Sequence, residues 1–170
     1  MKPMRIIGLA GWSGSGKTTL IKKVIPCLIG RGLKVSTLKH AHHGFDLDQP
    51  GKDSFFHRAA GATEVMICTG SRWALMHELR DEGEVPLEQL VEKMTPVDIL
   101  VVEGFKSHAH AKIEVYRKSV GKPLLQPADP HIIAVASDEP LPSVPVPVLD
   151  INDPASVARF ILDHLNRQAA

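Results

Sequence analysis

The chain has little cysteine, no long apolar run and almost no net charge, and each shortage closes off a class of function. Its two cysteines, Cys27 and Cys68, lack the paired spacing of a zinc site or a disulfide framework, which fits buried thiols in a reducing cytoplasm. No uninterrupted apolar stretch approaches a membrane span. The apolar run near the start, Ile6 to Ala10, is too short for the core of a signal peptide. A formal charge of +1 gives no general attraction to nucleic acid or anionic lipid, so any basic surface must be local. What remains is ordinary: 170 residues, 44% hydrophobic and 23% charged, enough for one α/β domain spanning 1–170 with its own core.

Against that background one stretch is specific. Gly11-Trp12-Ser13-Gly14-Ser15-Gly16-Lys17-Thr18 follows the pattern of glycine, four residues, then Gly-Lys-Ser/Thr, with a short apolar strand before it and an amphipathic segment after it. Glycines there let successive backbone N–H groups converge on phosphate oxygens. Lys17 is placed to reach the outer phosphates, Thr18 to offer a hydroxyl to Mg²⁺, and the following helix to direct its positive end at the anion. Gly11, Ser13, Gly14, Ser15, Gly16, Lys17, Thr18 and Thr19 are thus expected to hold a nucleotide, with Lys17 also catalytic.

Strand and helix patterns alternate along the rest of the chain. A helix to about Gly30 contains Pro26, and a strand follows at 34–38. Asp53 to Ala60 reads as a short helix with Asp53 or Ser54 as N-cap, and 65–68 with 73–77 as a hairpin around Thr69-Gly70-Ser71. A helix at 87–94, strands at 98–102, 112–116, 132–136 and 148–149, and a terminal helix from Pro154 complete the pattern. The expectation is an α/β, P-loop NTPase-like fold: a mainly parallel sheet with helices on both faces, an inserted β-hairpin, and ligands beyond the strands' carboxyl ends.

That edge should gather other chemistry. Glu103 closes an apolar strand and is a candidate for Mg²⁺ or its waters. Asp98 would serve only from the strand's opposite end. Asp46 and Asp48 are alternate residues of a polar loop, and one of them could reach the metal or orient an attacking water. His40, His42 and His43 lack the helical spacing of a preorganised metal site and suit hydrogen bonds to phosphate, substrate or backbone. Lys52 and Arg58 form a patch suited to a second anion. Asp138, just past a strand, could accept the N1–H and N2–H of guanine, whereas adenine presents an acceptor there, so GTP is expected over ATP.

Together, Leu38-Lys39-His40, His42-His43, Asp46, Asp48, Gly51-Lys52-Asp53-Ser54, Arg58, Ala60-Gly61-Ala62, Val102-Glu103-Gly104-Phe105-Lys106 and Ala134-Val135-Ala136-Ser137-Asp138 resemble the molybdopterin-guanine dinucleotide biosynthesis protein B (MobB) family over nearly the whole chain. The resemblance implies a cytoplasmic, homodimeric, GTP-binding accessory protein with weak GTPase activity. Such a protein assists a MobA-like partner that attaches GMP to molybdopterin, with molybdopterin itself a further candidate ligand. Two other classes share a phosphate loop. A nickel-delivering maturation GTPase would carry cysteine-based metal motifs, and a small-molecule kinase a basic lid; neither is evident here, Arg72 and Arg80 forming no clear lid.

Overall fold

The computed structural model describes residues 4–41, 44–105 and 108–167. The chain falls into two compact units, 1–40 with 94–170, and 41–93.

The larger unit is built on six strands: β1 (Arg5–Ala10), β2 (Val35–Lys39), β5 (Ile99–Glu103), β6 (Lys112–Tyr116), β7 (Ile132–Ser137) and β8 (Val148–Asp150). They lie in the order β2-β5-β1-β6-β7-β8, and every pairing is parallel. Central strands of such a sheet are apolar on both faces because neither meets water. Ile99, Leu100, Val101 and Val102 of β5 accordingly are all buried. The helices α1 (Lys17–Ile29) and α4 (Pro154–Arg167) contribute Leu20, Val24 and Leu28, and Val157, Ile161 and Leu165, to one core with Ile7, Leu9, Ile113 and Val115. At 3.6 residues per turn these positions form one stripe on each helix, which is what packs both helices against the sheet. Pro26 is accommodated in the last turns of α1, where Gly30 still donates to its carbonyl at 2.9 Å.

Lys112 and Glu114 alternate with those core residues along β6 and are buried too. Burial of charge demands partners. Lys112 Nζ donates to Asp129 at 2.7 Å, and the Glu114 carboxylate accepts the N–H groups of Leu125 and Gln126 at 2.8 Å each. Desolvation nevertheless raises the Glu114 pKa above the ordinary range, the two backbone donors opposing it. Nearby, both ring nitrogens of His110 are buried with no hydrogen-bond partner among the described residues. Burial, helped by Lys112 and His108, pushes its pKa down to about 4, so the ring is neutral.

The smaller unit holds α2 (Asp53–Ala59), the antiparallel hairpin β3 (Glu64–Cys68) and β4 (Trp73–His77), and α3 (Leu87–Glu92). The hairpin stands where the sequence places it. The cap of α2 does not: Lys52 occupies the N-cap position, no side chain caps the helix, and Asp53 falls inside the first turn, where its charge still complements the dipole. Strand alternation turns Val65 and Met76 inward and leaves Met66, Trp73 and Leu75 exposed. Cys68 shares that exposed face, so only Cys27, half-buried on α1, approaches the expected sheltered thiol.

Candidate nucleotide site

The phosphate loop begins where β1 ends. Gly11 takes φ +141°, and a Cβ there would lie 2.5 Å from the carbonyl oxygen of Val115 on β6 and 2.8 Å from Ser15 Oγ. Only glycine lets the loop pass so close to the neighbouring strand. Gly16, in the left-handed region, is the N-cap of α1, whose first turn contains no acidic residue. The positive end of the helix is therefore uncompensated by its own side chains. Lys17 Nζ donates to the carbonyls of Gly11 and Trp12, at 2.9 Å each. Ser15 is almost fully buried, and its hydroxyl has no hydrogen-bond partner among the described residues.

Six loop residues, Ser13, Gly14, Gly16, Lys17, Thr18 and Thr19, line a cavity of about 390 Å³ together with Lys39 and Glu103. The sheet dictates this meeting. Glu103 ends β5 in register with Lys39 of β2 and Leu9 of β1, so both charged residues emerge beside the loop that follows β1. Asp98 stands at the opposite end of β5, where its carboxylate accepts the Lys34 N–H at 2.8 Å, which removes it as an alternative to Glu103. Thr18 and Glu103 are hard oxygen donors sharing one cavity with the loop lysine, a set that fits Mg²⁺ held against phosphates. The unpartnered Ser15 hydroxyl likewise suits a loop whose full complement of hydrogen bonds includes an anion.

Asp138 follows the last residue of β7 and lines a second cavity of about 580 Å³ with Ser137, Pro140, Leu141, Pro142 and Leu149. Glu139 and Asp150 line it as well, so apolar side chains and carboxylates share the wall, and a carboxylate is what the donors of a guanine edge require. In this structure Asp138 Oδ2 accepts a 2.6 Å hydrogen bond from Arg117, whose Nε also lies 3.4 Å from the position of a Cβ on Gly16. Sequence reasoning passed over Arg117. The signal was available in the alternation Ile113, Val115, Arg117, which carries the core-facing side of β6 past its carboxyl end.

The remaining described candidates belong to the smaller unit or to the loop leading to it. Arg58 is engaged by three carboxylates: Asp48 through two hydrogen bonds of 2.9 and 3.2 Å, Asp46 at 2.8 Å and Glu78 at 3.5 Å. The bond to Asp48, with these neighbouring charges, raises its pKa further above the usual guanidinium value. The Asp48 side chain is fully buried in this pairing, which gives it a structural occupation, while Asp46 stays largely exposed. Lys52 is exposed. The His40 ring packs on Phe105 with centroids 4.9 Å apart. His42, His43 and Lys106 lie outside the described residues.

Comparison with known proteins meets this geometry. Residues 6–138 match the family model of molybdopterin guanine dinucleotide synthesis protein B. A molybdopterin-guanine dinucleotide biosynthesis adapter protein of Escherichia coli is 45% identical over 166 residues, 96% of this chain and 94% of the relative. The adapter protein of the same description from Haemophilus influenzae is 40% identical over 95% of this chain and 89% of its own. Among solved structures, Bacillus subtilis MobB superposes with a TM-score of 0.74 at 24% identity, covering 95% of this chain and 98% of that one. A crystal structure of molybdopterin-guanine biosynthesis protein B gives 0.72 at 26% identity, covering 94% and 99%. With a matching model over most of its length and relatives of this identity along nearly all of it, the chain belongs to the molybdopterin guanine dinucleotide synthesis protein B family.

Proposed function

We propose that the protein binds Mg²⁺ and GTP, hydrolyses the nucleotide slowly, and serves as an adapter in the biosynthesis of molybdopterin guanine dinucleotide. The observation carrying this reading is the cavity in which Lys17, Thr18 and Glu103 converge on the start of α1. When bound, Mg²⁺ would neutralise phosphate charge. Thr18 and Glu103 would hold the metal or its waters, Lys17 would exchange its two carbonyl partners for phosphate oxygens, and Asp138 would accept the guanine edge. Relatives described as adapter proteins support placing the chain beside a MobA-like guanylyltransferase, in a cytoplasmic pathway that handles molybdopterin. No helix among the described residues is long and apolar enough to cross a membrane.

Asp46 is proposed to act on hydrolysis, and Lys52 with Arg58 on a phosphorylated ligand or an acidic partner. Arg58 already carries three carboxylates, so exposed Lys52 is the stronger of the two for that role. A homodimer is proposed as well, its contact being the exposed face formed by Met66, Trp73 and Leu75. The nickel-delivery alternative gains nothing from the described residues, which contain no cluster of three or more histidine, cysteine or acidic side chains able to hold a metal ion.

Titration with GTP and ATP in the presence of Mg²⁺ tests the reading. GTP should bind in preference, and Lys17→Ala should lose about ten- to over a hundredfold in affinity, corresponding to one charge-assisted contact of about 1.5–3 kcal/mol. Unchanged affinity in a folded Lys17→Ala protein would remove the phosphate-loop assignment.

A further inference from the structure

The end of β6 carries a side chain that the phosphate-loop reading leaves unused. Arg117, with φ −136° and ψ 127°, continues the extended backbone beyond Tyr116. Ile113 and Val115 face the core shared with α1, so the next residue on that face emerges at the carboxyl edge, over the helix's first turn. There the guanidinium stands beside Gly16 and pairs with Asp138.

The position is electrostatically odd for a cation. It lies against the positive end of a helix whose first turn has no acidic residue, and whose first residue is Lys17. Asp138 balances it in this structure. Yet a guanine edge presents two donors that need both oxygens of one carboxylate, and Asp138 Oδ2, which now faces Arg117, is one of those two, so guanine competes with Arg117 for it. A guanidinium released at a positive helix end would be stranded unless an anion took the carboxylate's place, and the phosphate chain of the same nucleotide supplies one of matching geometry.

We propose that Arg117 is an exchange residue: it holds Asp138 until guanine takes that carboxylate, then transfers to the phosphate chain, so that one side chain couples base recognition to phosphate binding. The proposal rests on the GTP reading above. Its distinguishing consequence is a difference in sign between two ligands. In this exchange guanosine displaces Arg117 from Asp138 and offers nothing in return, whereas GTP displaces it and gives it a phosphate.

Equilibrium dialysis of guanosine and of GTP against wild type, Arg117→Ala and Arg117→Lys decides the matter, with Lys17→Ala as the control for the site itself. Arg117→Ala should weaken GTP binding about ten- to a hundredfold while binding guanosine as well as wild type or better, and Arg117→Lys should recover part of the GTP affinity. Equal loss for both ligands would make Arg117 a brace of the fold, and an unchanged GTP affinity would remove it from the phosphates. Guanosine left undetected by the alanine variant at millimolar concentration also overturns the exchange. If Lys17→Ala loses GTP and Arg117→Ala does not, only the exchange fails. If wild type binds no GTP, both readings fall together.

Discussion

The indole N–H of Trp12, inside the phosphate loop, donates to the carbonyl of Pro123 at 2.8 Å, and the Lys122 ammonium lies 5.8 Å from the centre of the same ring. The loop is thereby tied to a segment in which Leu125 and Gln126, just beyond Pro123, are anchored on buried Glu114. A ligand that rearranges the loop carbonyls must disturb this indole. GTP should therefore change the emission of Trp12, and should do so in a Trp73→Phe protein that carries no other tryptophan. A flat titration in a protein shown to bind GTP by dialysis would mean that the loop does not move.

Turnover by the isolated protein should be slow, on the order of 10⁻² s⁻¹ or less, as for unassisted phosphate-loop GTPases. Glu103→Gln should raise the Mg²⁺ concentration needed for binding, because the carboxylate in the cavity with Thr18 is replaced by a weaker ligand. Asp46→Ala should lower hydrolysis more than affinity. Phosphate release assayed across a Mg²⁺ series checks all three. Fast hydrolysis without a partner would favour the kinase reading, with water standing in for the true acceptor.

Arg58 and Lys52 should separate. Arg58→Ala leaves Asp48 buried without its guanidinium partner, so its melting temperature should fall before any partner is tested. Lys52→Ala should melt as wild type does and reveal in its stimulation of dinucleotide formation, measured at two ionic strengths, whether this charge meets an anionic ligand. Full stimulation by Lys52→Ala at both strengths would leave that charge without a role.

Gly8→Ala should destabilise the fold by about 1–3 kcal/mol, the usual cost of forcing extra volume into a packed site. A Cβ at this position of β1 would run into the His110 ring and lie 2.8 Å from Lys112 Cγ. Urea denaturation of Gly8→Ala alone and combined with His110→Ala should show part of the loss recovered in the double variant. Independent, additive losses would mean that the ring is not what obstructs the methyl group.

His110 also sets a pH dependence. Its pKa lies near 4 in the folded chain and at its ordinary value once unfolded, so the unfolded chain binds the extra proton first as pH falls. Stability should drop between about pH 6.5 and 4 and level off below. With solvent screening of a part-exposed ring the loss is about 1–2 kcal/mol. The raised pKa of Glu114 works in the opposite sense, its proton being held more tightly by the folded chain. Subtracting the pH profile of His110→Gln from that of wild type isolates the histidine. Identical profiles would place its proton elsewhere.

How legible this was varied with the kind of force involved. Strands that are buried on both faces announce themselves as unbroken apolar runs, and Ile99 to Val102 placed both β5 and Glu103. The loop glycines marked a sharp turn after β1, and at Gly11 the structure shows why, since no other residue fits against Val115. Long-range pairing left no such mark. Nothing local to Arg58 says that Asp46, Asp48 and Glu78 will surround it, so a cation that reads as a site for ligand anions was met by anions of its own chain. The pairing of Arg117 with Asp138 was hidden for the same reason, since the partner lies 21 residues away, although strand alternation already marked the edge where Arg117 emerges. The α2 cap misled because Asp53 and Ser54 both have capping side chains, and the chain turns one residue earlier.

The three-residue β8 has a consequence for how copies of this protein behave at high concentration. It is the outer strand of the parallel sheet, and Pro142, Pro145 and Pro147 lead into it, the last delivering its carbonyl to Val135 before the strand begins. A proline-laden, very short margin presents few backbone donors in a row and cannot template a further strand. On this flank the sheet is closed to cross-β growth by backbone chemistry alone, with no charged gatekeeper required.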